Sequence, residues 1–352
     1  MVGRLSNRWS LMSETEKQRY IPALDGWRGM AILLVLAGHF GGDRYLAGLG
    51  SAGVDLFFVL SGRLMADILF VRNVPLGAFF FRRFSRVYPT LLIFVSVSAA
   101  VFSLTPLAPG VVGVLSALSF TVNYVITESG TFIPIFDHIW SLCVEEHSYV
   151  LLGLFALLLR GADSRFIGLL VLALGFAALA IGTLQYDVYG QNPFTVFRPT
   201  HVAAAPILIS AAFALLFSQH RSPWALEWLV PLAFFCGLAM RLFADAAWMF
   251  FGLKTLLLAI AVCTIESAKH FSRILFEGDI IRQIGRMSFS IYLWQQPFYI
   301  LARQGHLPQL PALALAVCFG LLSYYLIEQP TRTRLNAWLE RGNRERAVLK
   351  MG

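Results

Sequence analysis

Charge is scarce in this chain. Only 14% of its 352 residues are Asp, Glu, Lys or Arg, against roughly 25% in a soluble domain. Cysteine is scarce as well: Cys143, Cys236, Cys263 and Cys318 all lie in apolar runs, with no CxxC pair and no Cys/His cluster. That pattern argues against a disulfide framework and against a metal site. No internal repeat or low-complexity tract is visible, and no polar stretch is long enough for a second folded domain. The first twenty residues are polar and mixed in charge. They lack the apolar core of a secretion signal, so no cleaved leader is expected.

What the chain has in abundance is apolar sequence, 57% of the residues, with a mean hydropathy of +0.67. It is grouped into runs near twenty residues, each enough to cross a hydrocarbon core of ~30 Å as a helix. The expected fold is all-α, a polytopic membrane helix bundle of about ten transmembrane helices. The spans are placed near 27–46, 51–70, 88–105, 138–160, 165–184, 200–218, 224–243, 247–266, 286–304 and 308–328. Residues 76–87, LGAFFFRRFSRV, read as a short interfacial helix leading into the third span.

The run 110–127 carries Gly110, Gly113, Ser116, Ser119, Thr121 and Asn123 and is less apolar than its neighbours. If it makes no net crossing, the inner loops and tails collect 21 of the 28 Lys and Arg residues, Lys269, Arg273 and Arg282 among them. Counting it as a span moves those three outside. The positive-inside bias favours the first arrangement, so 110–127 is expected to be re-entrant or interfacial. Both termini then lie in the cytoplasm and the body lies in the inner membrane. The expected parts are a cytoplasmic tail at 1–21, a membrane body at 22–330 and a basic cytoplasmic tail at 331–352. The net charge of +8 reflects this topology, and no nucleic-acid partner is expected.

Arg28 and His39 stand eleven positions apart in the first span. Eleven steps of about 100° return to nearly the same helix face, roughly 16 Å further on. Ionisable groups inside hydrocarbon are costly and tend to line functional cavities. A neutral imidazole at His39 suits general acid–base work; the bland reading is a buried histidine bonded to a carbonyl. Arg83 and Arg86, three apart, share a face and present guanidinium forks suited to phosphate, or else anchor the chain at lipid headgroups. Arg63, inside the second span, either snorkels to the inner surface or joins the other arginines.

Asp55 falls in the outer part of the second span. His138, Ser141, Glu145 and Ser148 form one polar stripe on the fourth. Glu145 is placed to orient an imidazole, to bind a sugar hydroxyl, or to pair with a base such as Lys254. Basic groups toward the cytoplasm, a histidine midway and acids beyond it suit an anionic donor from inside and an acceptor from outside. A proton-coupled transporter of a small anion or glycan precursor would use the same residue types.

The segments LDGWRGMAILLVLAGH (24–39), GVDLFFVLSGRL (53–64), FFRRFSRVYP (80–89), HIWSLCVEEHSYVL (138–151), SFSIYLWQQP (288–297) and IEQP (327–330) together resemble the membrane acyltransferase-3 family. That family O-acylates sugars and other hydroxylated acceptors from acyl-CoA. The resemblance runs from the first span to the last. Arg28 and His39 match the family's arginine-x10-histidine signature, and Arg83 and Arg86 its arginine-x-x-arginine signature. It implies His39 as the catalytic residue, with Arg28, Arg83 and Arg86 engaging acyl-CoA, acetyl-CoA being the expected donor, and an important part for Glu145. Asp55 is a further catalytic candidate. The implied acceptor is a lipid-linked or exported glycan such as an O-antigen, an exopolysaccharide or a lipo-oligosaccharide, and membrane lipids surround the body. This chain departs from the family at Gln295, where many members carry histidine, and at Arg63, where the family is usually apolar. It ends shortly after the last span, so the membrane body is expected to act without a fused hydrolase-like domain.

Overall fold

The structure, a computed structural model, describes residues 20–42, 47–130, 132–217 and 226–349. The tail before Tyr20, with Arg4, Arg8, Lys17 and Arg19, lies outside the described residues, as do Arg44, Arg221 and residues 350–352. All regular elements among the described residues are helical. The principal ones are α1 (Pro22–Phe40), α2 (Ala47–Ala66), α3 (Leu76–Phe102), α4 (Gly110–Leu118), α5 (Val122–Ser129), α6 (Trp140–Leu158) and α7 (Ser164–Thr183). They are followed by α8 (Ala205–Phe217), α9 (Leu226–Phe243), α10 (Lys254–Cys263), α11 (Asp279–Arg303), α12 (Gln309–Ser323) and α13 (Gln329–Leu349).

Among the described residues five helical stretches are long and apolar enough to cross a membrane: Leu76–Phe102, Asp137–Leu158, Ser164–Val188, Thr200–Phe217 and Gln309–Gly342. The remaining long helices have a reason to be less apolar. α1 carries Asp25, Arg28 and His39, α2 carries Asp55 and Arg63, and α11 carries Asp279, Arg282, Arg286 and Arg303. Neighbouring helices cover them. α12, α11, α1, α2, α8 and α7 form a row in which each packs on the next, and three apolar clusters fill the spaces between them.

One expected boundary is corrected. No break separates an interfacial helix at 76–87 from a span beginning at 88, because Leu76–Phe102 is one helix of 27 residues. Pro89 lies inside it and removes a single backbone hydrogen bond, which is too little to end a helix otherwise free of breakers. Residues beyond Thr331, expected as a tail, continue as helix α13, joined to α12 through the one-turn π segment Tyr324–Glu328. The 110–127 run is not a single helix either. It folds as α4 and α5, of 9 and 8 residues, interrupted at Phe120, whose φ is 56°. At ~1.5 Å per residue each spans under half of a ~30 Å core.

α1 and α11 meet backbone to backbone. A Cβ placed on Gly285 would lie 1.8 Å from the Asp25 carbonyl oxygen, and one on Gly29 would lie 2.1 Å from the Ile281 carbonyl oxygen. Only glycine permits that approach, the usual way membrane helices gain close packing. Gly285→Ala must push the two helices apart, and overpacking of this kind costs about 1–3 kcal/mol. The expected outcome is a lower melting temperature in detergent for Gly285→Ala. Gly252→Ala, where nothing lies within 4 Å of the added Cβ, should melt like the native chain.

Two cavities that share a wall

The site residues fall into two cavities strung along the same four helices. The smaller, of about 60 Å³, is lined by Arg28 from α1, Ser61 from α2, Arg83 and Arg86 from α3, Glu145 from α6 and Ser288 from α11. The larger, of about 640 Å³, holds His39 from α1, Asp55 from α2, His138 just before α6, and Gln296 and Tyr299 from α11. Val54, Phe58 and Tyr292 line both cavities and form the wall between them. The Tyr292 hydroxyl is fixed there, donating to the His138 carbonyl at 2.9 Å and lying 2.7 Å from Ser141 Oγ.

In the smaller cavity the arginines differ in how firmly they are held. Arg83 binds Glu146 at 2.6 Å and approaches Glu145 at 3.6 Å, and its guanidinium lies 4.1 Å above the Tyr149 ring. Glu145 in turn accepts from Ser61 Oγ and from the Tyr149 hydroxyl, each at 2.9 Å. Arg83 is therefore locked between carboxylates. Among the described residues Arg28 has only a long contact of 3.7 Å to Asp25. Arg86 makes no direct hydrogen bond or ion pair among them; the buried Glu328 carboxylate feels its charge, and its guanidinium N–H groups are left open to a ligand.

In the larger cavity His39 Nδ1 lies 2.6 Å from Gln295 Oε1, and the ring stacks on Tyr299 at 4.2 Å with 13° between the planes. Asp55 pairs with Lys254 at 2.6 Å and lies 3.8 Å from Arg241. Arg198 forms a two-pronged pair with Asp137 and covers the Phe194 ring at 3.5 Å. Aromatic rings from Phe132, Tyr186, Phe194, Phe197 and Phe250 complete the lining. Paired charges and aromatic faces suit a polar, uncharged ligand with apolar edges. His138 is the exception in this lining, since neither ring nitrogen has a hydrogen-bond partner of normal geometry. Beside it is the Leu293 backbone, whose carbonyl loses its helical partner to Pro297.

The structure thus brings Arg28, Arg83, Arg86 and Glu145 into one cavity, and His39 and Asp55 into the next. Three sequence readings change. Glu145 sits with the arginines and not beyond the histidine. Lys254 pairs with Asp55 and not with Glu145. Arg63 joins neither the surface nor the arginine cavity, because it donates to the Val262 carbonyl and pairs with Glu266 at 2.7 Å. The sequence reading passed over Gln296, Tyr292 and Tyr299. Their signal was present in YLWQQPFY, where polar and hydroxyl-bearing side chains recur around Pro297 in an apolar helix.

The acyltransferase-3 family profile, described as an acyltransferase domain, matches residues 21–328, and the chain belongs to that family. With helices apolar enough to cross a bilayer, it is a membrane protein. It is similar to a Staphylococcus aureus protein that carries a provisional O-acetyltransferase name, 25% identical over 93% of this chain and 59% of that protein. The Bacillus subtilis protein YrhL, provisionally named a peptidoglycan O-acetyltransferase, is 29% identical over 91% of this chain and 56% of its own length. The peptidoglycan O-acetyltransferase OatA of Listeria monocytogenes is 27% identical over 81% of this chain and 50% of its own. The chain spans between half and three-fifths of the length of these relatives. No solved structure matches it.

The unequal holding of the arginines has a measurable consequence. Removing one partner of a largely buried ion pair costs about 3–5 kcal/mol, so Arg83→Ala should lower the melting temperature in detergent by several degrees. Arg86→Ala should lower it less, since Arg86 makes no direct ion pair and is only an electrostatic neighbour of Glu328. Equal destabilisation by the two would contradict the pairing described.

Proposed function

We propose that the chain is an integral-membrane O-acyltransferase that moves an acyl group, acetyl in the expected case, from acyl-CoA to a sugar hydroxyl of a lipid-linked or exported glycan. The observation that carries the reading is the pair of cavities. An arginine-lined one with open guanidinium N–H groups suits a phosphate-bearing donor, and it abuts a larger one that holds an imidazole and aromatic faces. Their sizes fit the division of labour. A space of about 640 Å³ lies within the ~300–1,000 Å³ of small-molecule sites. The ~60 Å³ space is too small for a nucleotide, so the base and ribose stay outside it and only the slender part of the donor passes the arginines that line it.

In this reading His39 accepts the proton of the acceptor hydroxyl as its oxygen attacks the thioester carbonyl. The carbon–sulfur bond breaks, and the proton passes from the imidazole to the departing thiolate, releasing CoA as its thiol. Arg28 and Arg86 bind the donor phosphates. Glu145 and Glu146 hold Arg83, and Asp55 neutralises Lys254 at the acceptor cavity, so we assign both Glu145 and Asp55 to positioning. The names of the relatives, several of them O-acetyltransferases and two of them acting on peptidoglycan by name, support an acetyl donor and a glycan acceptor. They do not favour a transporter.

The proposed membrane arrangement has ten spans within a body at 22–330, a tail at each end on the cytoplasmic side, and no net crossing by α4 and α5. The brevity of those two helices supports it. An alkaline phosphatase fused after Gly352 should be inactive, whereas a fluorescent protein fused there should mature. The reverse pair of results would require an odd number of crossings.

General acid–base help is worth ~10²–10⁴ in rate. His39→Ala should lose that factor in acetyl transfer by purified protein while keeping its melting temperature. A charge-assisted hydrogen bond contributes roughly 1.5–3 kcal/mol, and bidentate contact to phosphate is a geometry that lysine cannot copy. Arg86→Lys should therefore raise the KM for acetyl-CoA about 10- to 150-fold at ~1.4 kcal/mol per tenfold, with kcat less affected. Normal transfer by His39→Ala would remove the histidine from the reaction, and an unchanged donor KM in Arg86→Lys would remove Arg86 from the donor site.

A further inference from the structure

A chain of side-chain amides ends on His39. Gln296 Nε2 donates to the Pro134 carbonyl oxygen at 2.8 Å. Gln295 Nε2 donates to Gln296 Oε1 at 3.4 Å, the longest link. Gln295 Oε1 lies 2.6 Å from His39 Nδ1. Gln295 is 0% exposed and Gln296 is 3% exposed, so both amides are buried and need their partners.

The direction of this chain follows from its end. A carbonyl oxygen only accepts, so the group of Gln296 facing Pro134 must be its NH₂. Its oxygen then faces Gln295, which must answer with its own NH₂. Gln295 consequently turns its oxygen to His39. An amide oxygen also only accepts, so His39 Nδ1 must carry the proton. In a neutral imidazole one nitrogen donates and the other accepts, which leaves Nε2 with a free lone pair. His39 lines the larger cavity, and Gly50 packs beside this edge of the ring, where an added Cβ would be in van der Waals contact at 3.4 Å from Cδ2 and 3.6 Å from Nε2; Nε2 makes no hydrogen bond among the described residues.

We propose that Gln295 is a positioning residue, held by Gln296 and the Pro134 carbonyl, which fixes His39 as the Nδ1–H tautomer and makes Nε2 the nitrogen that takes the acceptor proton. The function of this tautomer rests on the acyl-transfer reading of His39. The assignment of the tautomer itself does not. An amide does this work without a charge, whereas a histidine at position 295 would be free to donate or accept. The tautomer in such a chain would depend on the state of both rings.

The test reads the tautomer directly. Protein labelled with ¹⁵N-histidine, in detergent at a pH where imidazole is neutral, gives separate nitrogen signals for protonated and unprotonated ring positions. The chain has seven histidines, and the His39 signals are those that vanish in His39→Gln. The native protein should show Nδ1 protonated and Nε2 not. Gln295→Leu should show a mixture or the opposite form, and its kcat should fall at least tenfold within the ~10²–10⁴ that acid–base help is worth, with little change in KM. Protonated Nε2 in the native protein would overturn the proposal, and this result needs no variant to fold. A native tautomer that persists in Gln295→Leu would overturn it as well. If the Nδ1–H form is found in a chain that transfers no acyl group, the proposed activity fails while the tautomer assignment stands.

Discussion

α1 rests on α11 with glycine at the points of contact, Gly29 on one side and Gly285 on the other. Everything else in the site depends on that closeness. It brings together two helices whose His39 and Gln295, 256 residues apart in sequence, share a 2.6 Å hydrogen bond. The same contact sets Arg28 of α1 and Ser288 of α11 at the smaller cavity and His39 and Gln296 at the larger one. Because both helices are rigid over these stretches, the distance between the two sets is fixed by helical rise, about 16 Å for eleven residues at ~1.5 Å each. Membrane helices cannot rely on the hydrophobic effect to hold them together in lipid, and close backbone packing is what remains.

The charges are arranged so that few are left over. Arg83 with Glu145 and Glu146, Lys254 with Asp55, Arg198 with Asp137, and Arg63 with Glu266 are each paired. Such pairs keep ionisable groups at tolerable cost inside an apolar bundle. Against that background Arg86, which has the Glu328 carboxylate near it but no direct partner among the described residues, and the loosely held Arg28 mark the place where guanidinium N–H groups are left open. His39, with one nitrogen bonded and the other free, marks the corresponding place in the neighbouring cavity. The wall of Val54, Phe58 and Tyr292 keeps the two apart, and Ser141 and the His138 carbonyl hold its tyrosine from behind.

Much of this was legible in the sequence, because helical spacing is a local property. The Arg28–His39 stripe and the Arg83–Arg86 pair follow from 3.6 residues per turn; Arg28, Arg83 and Arg86 line the smaller cavity and His39 the larger. The glycines and serines of 110–127 announced a segment unlike a plain span, and it folds as two short helices. What was not legible was which helix faces which. The pairing of Lys254 with Asp55, the capture of Arg63 by Glu266 and the placement of Glu145 among arginines depend on contacts between helices far apart in sequence. Composition says only that such charges need partners, not which partners they find. Gln295 shows both sides of this. The residue stood out in YLWQQP as an amide where a histidine is usual, but its role needed the Pro134 carbonyl, which no spacing rule connects to it.

The central claim is that donor and acceptor occupy separate cavities and meet across the shared wall. A cryo-electron microscopy map of the protein in lipid nanodiscs, with a non-hydrolysable acetyl-CoA thioether bound, tests it most directly. The account predicts the donor phosphates against Arg28 and Arg86, with the acyl end pointing at Val54, Phe58 and Tyr292 and the His39 cavity left to solvent or acceptor. A nucleotide seated in the larger cavity beside His39, with the arginines bare, would contradict it.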